Sequence, residues 1–115
     1  MTNASHQPVN LEAAMTAPHV HLVTLACRDS EHAKQCIAAL AGTGRTDALE
    51  YGCASYEFGL RDGTDDVVRI VERWQRWEDL DSLLVDRVIP ALPVYNQLLA
   101  QPFDPMTDTE RITLT

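Results

Sequence analysis

Apolar positions divide this chain into short runs whose period changes several times. Val20 to Cys27 is β-branched and apolar-rich, which predicts a first strand. Asp29 or Ser30 can cap the element that follows, and Asp29 and Glu31 suit the positive end of a helix dipole. Ala33, Cys36, Ile37, Leu40 and Ala41 recur at the spacing of one helical stripe. Gly42 and Gly44 loosen or end that helix, and a further turn runs to Leu49. Tyr56 to Leu60 then alternates, Arg61 to Asp66 breaks the chain, and Val67 to Trp74 resumes a strand pattern. Two such runs around a Gly/Asp turn predict a β-hairpin. Glu78 to Asp86 carries Leu80, Leu83 and Leu84 at helical spacing. Pro90 fits the first turn of another helix, with Leu92, Tyr95, Leu98 and Leu99 as its stripe. Pro93 is tolerable within a first turn and kinks a helix further in. Gln101 to Pro105 reads as a loop, and Arg111 to Thr115 alternates as a last strand.

The order β-α-β-β-α(α)-β is that of the ferredoxin-like split βαβ plan, an α+β architecture. Its antiparallel sheet carries helices on one face and leaves the other needing a cover. A second copy of the same sheet is the simplest cover, so a homodimer closed sheet to sheet is expected. Residues 19–115 form the domain. Residues 1–18 mix Asn, Ser, Gln, Pro and Ala and read as a flexible arm, with Leu11 to Met15 able to make one helical turn.

With 115 residues, a single domain of this size buries roughly 65% of its unfolded surface. A net charge of −8, with nine basic residues spread along the chain, excludes the Lys/Arg clusters that nucleic acid or anionic membrane surfaces require. No segment approaches the ~18 apolar residues of a membrane helix. The N-terminal residues lack the basic and apolar regions of a secretion signal, which makes the cytoplasm the expected location. Cys27, Cys36 and Cys53 are odd in number and have no CxxC spacing, so they read as buried, reduced hydrophobes.

Candidate chemistry gathers on the third strand and its neighbours. Strand period 2 puts Val68, Ile70, Glu72 and Trp74 on one face. A carboxylate among apolar neighbours can serve as a general base; alternatively Glu72 pairs with Arg69, Arg73 or Arg87. Trp74 is either a core aromatic or the wall of an aromatic pocket. Tyr56 can donate a hydrogen bond to a ligand oxygen or place its hydroxyl at the sheet edge. His19 and His21 share a face of strand one, but a metal site needs a third ligand and none is evident, so no metal is expected. His21 remains as an acid/base group lining a pocket. Trp77 reads as a staple or rim residue.

Gly52-Cys53, Tyr56, Glu72, Trp74 and Leu80, six residues beyond the tryptophan, give residues 20–100 a pattern that resembles the antibiotic biosynthesis monooxygenase family, small dimeric α+β barrels that include quinol monooxygenase-like enzymes. The resemblance implies cofactor-free oxidation of a small aromatic or quinol-type molecule in a pocket between each sheet and its helices. It also implies a strand asparagine, the third-strand tryptophan and a polar helix tyrosine or histidine. Trp74 matches. Ile70 stands where some members have the asparagine, Leu83 where many have the histidine, and Leu80 where some have the tyrosine. The expected site therefore comprises Glu72 and His21 as catalytic groups, with Trp74, Tyr56, Ile70 and Leu83 around the substrate. Loss of the polar groups also fits a non-catalytic binding or dimerisation module of the same fold. Haem degradation, known among relatives, lacks its asparagine and histidine here.

Overall fold

The computed structural model describes residues 16–115. Four strands, β1 (His19–Ala26), β2 (Cys53–Leu60), β3 (Val67–Trp74) and β4 (Thr109–Thr113), form one antiparallel sheet in the order β2-β3-β1-β4. That order completes the expected α+β ferredoxin-like topology. Strand two begins at Cys53, before the alternation of Tyr56 to Leu60, and a register shift between Cys53 and Ser55 explains why the period is broken there. Gly63, at φ +81°, turns the hairpin in a conformation that L side chains rarely adopt.

Helix α1 (Ser30–Ala39) is capped by Asp29, whose carboxylate accepts the His32 backbone N–H at 2.9 Å. The glycines do not end it. The chain passes through a π-helical turn, Leu40–Gly44, directly into α2 (Arg45–Glu50). The second half repeats this arrangement: α3 (Trp77–Leu83) runs through a π-helical turn, Leu84–Val88, into α4 (Ile89–Tyr95). Pro90 sits in the first turn of α4, and Pro93 lies inside a helix so short that it ends two residues later. Leu98 and Leu99 fall beyond α4, where Leu99 bridges to Cys27.

Leu25, Val23, Val68 and Ile70 on the sheet meet Ala33, Cys36, Leu40, Leu80 and Leu83 from the helices in one buried cluster. All three thiols are free and buried in it. Burial pushes the Cys27 thiol up and those of Cys36 and Cys53 up to about 12. On the other sheet face Val71 is 40% exposed.

Of the residues read as a flexible arm, 1–18, the last two pack on the domain. Ala17 is fully buried, the Arg73 guanidinium donates to its carbonyl, and Pro18 accepts from the Leu114 N–H. The expected helical turn at Leu11 to Met15 lies outside the described residues. None of the helices described is long and apolar enough to cross a membrane.

Candidate functional site

Strand register assembles the candidate residues into a row. Tyr56 lies opposite Glu72, Glu72 opposite His21, and His21 opposite Arg111, on the helix-facing side of all four strands. Directly opposed positions hold their Cβ atoms about 5 Å apart, so neighbours in the row are within side-chain reach.

At the centre, His21 and Glu72 are 3% and 5% exposed. His21 Nδ1 lies 2.9 Å from Glu72 Oε1, and Trp74 Nε1 donates to the same oxygen at 3.0 Å. A carboxylate only accepts, so Nδ1–H is the donor in this pair, and Nε2 is the ring nitrogen that the bond leaves unused. Glu72 therefore finds its partners in a histidine and an indole, and the alternative of an arginine ion pair is corrected. The reason is position: Arg69 and Arg73 alternate onto the opposite face, and Arg87 pairs with Asp47 at 2.6 Å.

Above the row lies a cavity of about 120 Å³ between sheet and helices. Its size is comparable to a cavity that accepts a benzene ring. His21, Glu72, Ile70 and Tyr56 line its sheet side; Leu83, Leu84, Val88 and Tyr95 line its helix side. Both π-helical turns contribute to the wall, through Leu40, Thr43 and Gly44 from one and Leu84, Arg87 and Val88 from the other. Such turns widen a helix locally and recur at functional sites.

Polar groups interrupt this mostly apolar lining, among them Thr43 and the Arg87–Asp47 pair on the helix side. His21 Nε2, Glu72 Oε2 and the hydroxyls of Tyr56 and Tyr95 have no hydrogen-bond partner among the described residues, and none of them is sealed from accessible space. Burial raises the pKa of both tyrosines, and the charge of Glu72 adds to the effect at Tyr56, so both hydroxyls stay protonated donors. Tyr56 points inward rather than to the sheet edge.

Trp74 is not part of the lining. Its indole is fully buried at the strand end with no face open to a ligand, and its N–H is spent on Glu72. The expectation of an aromatic pocket wall is corrected to a buried residue that fixes the carboxylate. Trp77 opens α3, stacks on His19 with ring centroids 4.7 Å apart and lies under the Arg111 guanidinium at 4.8 Å. Sequence reading missed Tyr95, Gly44 and Asp47 at this site and took Arg87 only as a possible partner of Glu72. Tyr95 was legible only as one member of an apolar stripe.

No protein-family model and no curated protein sequence matches the chain. Solved structures do. A putative antibiotic biosynthesis monooxygenase of Chloroflexus aurantiacus superposes with a TM-score of 0.63 at 18% identity, covering 84% of this chain and 92% of that one. A monooxygenase of Streptomyces coelicolor, solved in complex with nanaomycin D, gives 0.63 at 14% identity over 86% and 87%. A dimeric ferredoxin-like protein from an uncultured marine organism gives 0.65 at 6% identity over 92% and 95%. The fold is that of the antibiotic biosynthesis monooxygenases. Identities this low establish the monooxygenase-type fold alone, while the cavity of this chain sits between sheet and helices, as the resemblance implied.

Proposed function

We propose that the cavity binds a small phenolic or quinol-type molecule and that the chain oxidises it with dioxygen, without a cofactor. The observation that carries this reading is the buried His21–Glu72 pair at the floor of a largely apolar cavity. Glu72 positions the imidazole, and Trp74 positions Glu72. His21 Nε2 takes the proton of the ligand's phenolic hydroxyl, and the imidazolium so formed faces the carboxylate. The resulting phenolate is electron-rich enough to pass one electron to dioxygen, and the radical pair combines as a peroxide on a ring carbon. Return of the proton from His21 and loss of the ring hydrogen break the O–O bond. One oxygen leaves as water and the other stays as a ring carbonyl, so the phenol becomes a quinone. Ile70 and Leu83 supply apolar walls that keep water from the intermediate.

Subunit pairing through the outer sheet face, with Val71 in its middle, is part of the same proposal, as is action on a soluble molecule in the cytoplasm. The apolar residues at Ile70, Leu80 and Leu83 favour a second reading, a binding module without turnover. Oxygen uptake and product analysis with a panel of quinols separate the two. The proposal expects oxygen consumption that falls in His21→Gln; binding of quinols with no uptake by the wild type establishes the binding module instead.

A further inference from the structure

The helix side of the cavity holds a feature that the His21–Glu72 reading does not use. Gly44, in the first π-helical turn, has two tyrosine hydroxyls gathered around it. A Cβ built there would lie 3.1 Å from the Tyr56 hydroxyl, 3.6 Å from the Tyr95 hydroxyl and 3.2 Å from a Leu40 methyl. Tyr56 reaches this point from β2 and Tyr95 from the end of α4, so two distant segments deliver their hydroxyls to one spot. Tyr56 is 9% exposed, and no described residue partners either hydroxyl. Among the described residues no buried polar side-chain atom lacks a partner, so both hydroxyls keep access to the cavity they line, and two donors without a protein acceptor stand open to a ligand there. The missing side chain at Gly44 lets both hydroxyls approach the helix backbone this closely, which brings them together on one wall.

We infer that Tyr56 and Tyr95 form a two-donor site for a carbonyl or phenolate oxygen, and that the ligand is therefore an aromatic ring with oxygen at two ends. One end is a hydroxyl that faces the acceptors His21 Nε2 and Glu72 Oε2 on the sheet side. The other is an acceptor oxygen that faces the two tyrosine donors on the helix side. This inference rests on the ring-binding cavity of the proposed function but not on its turnover. It makes Tyr56, Tyr95 and Gly44 the residues that set orientation, and with it which ring carbon meets dioxygen.

The test uses two air-stable probes of similar shape, 4-hydroxyacetophenone and 4-ethylphenol, in which a carbonyl replaces a methylene. Because the carbonyl also acidifies the phenol, the change in preference between wild type and the tyrosine variants isolates the contact to the acceptor oxygen. Calorimetric or NMR titration of the full chain is expected to show about tenfold tighter binding of the ketone, the worth of two ordinary hydrogen bonds. Tyr95→Phe and Tyr56→Phe should each cut that preference about threefold without weakening 4-ethylphenol. A merely structural role for the tyrosines would weaken both probes together. Gly44→Ala, which crowds the hydroxyls, should erase the preference too. Equal affinity for the two probes in the wild type, or a preference untouched in both Phe variants, overturns the two-donor site and leaves the His21–Glu72 reading standing. Failure of the wild type to bind either probe overturns both.

Discussion

Replacing Trp74 by Phe separates the two roles that a tryptophan at the end of this strand can have. The indole is fully buried and its N–H lies 3.0 Å from Glu72 Oε1. A hydrogen bond to a charged group contributes about 1.5–3 kcal/mol, and the lower end applies because the oxygen keeps its bond to His21. The smaller ring leaves a void that the core closes incompletely, for about 1 kcal/mol more. A total near 2–3 kcal/mol lowers the melting temperature of a domain this size by roughly 10–20 °C. Affinity for a cavity ligand should stay within about twofold, because no atom of Trp74 lines the cavity. Thermal unfolding followed by circular dichroism, with ligand titration well below the new midpoint, gives both numbers. A variant with unchanged stability and weakened binding would refute the reasoning and return Trp74 to the pocket wall.

Glu72→Gln keeps an oxygen to accept from Trp74 and His21 but removes the charge facing the imidazole. Turnover on a verified substrate should fall by about two orders of magnitude, and equal turnover would remove Glu72 from the mechanism. Native-state alkylation with a bulky thiol reagent should be slow at Cys27, Cys36 and Cys53, which are 3%, 0% and 6% exposed; rapid labelling of all three contradicts the packing. Because burial raises the Cys36 and Cys53 thiols from 9.0 to about 12 in the folded chain, their contribution to stability is complete below pH 9 and is lost as pH rises toward 12. Urea midpoints should accordingly fall across that window, and a flat profile would count against it. Light scattering should give a dimer at micromolar concentration, whereas a monomer would leave the outer sheet face around Val71 without the proposed cover.

Much of the fold was legible because it rests on periods that local sequence carries. The β1 and β3 alternations place Val23, Val68 and Ile70 inward, and the stripe from Ala33 to Leu40 places α1 on them. Boundaries were less legible. Gly42 and Gly44 carry the propensity of a helix end, but tertiary packing carries the helix through them as a π turn. The site was legible as far as a strand face can be read: Glu72 and Ile70 were certain to point one way. The partner of Glu72 was not, because His21 is 51 residues away and only register brings it opposite. The role of Trp74 depended on how far a cavity extends along the strand, which no periodicity encodes. Tyr95 and Gly44 acquire meaning only when β2, α4 and a helix interior meet at one point.

The most direct test of His21 as a base is the absorption spectrum of 4-nitrophenol bound in the cavity, at a pH below the phenol's own pKa. The account predicts the phenolate spectrum when the wild-type protein binds the probe, and the phenol spectrum with His21→Gln at saturating probe. A bound probe that remains a phenol in the wild type, or that ionises equally without His21, would contradict it.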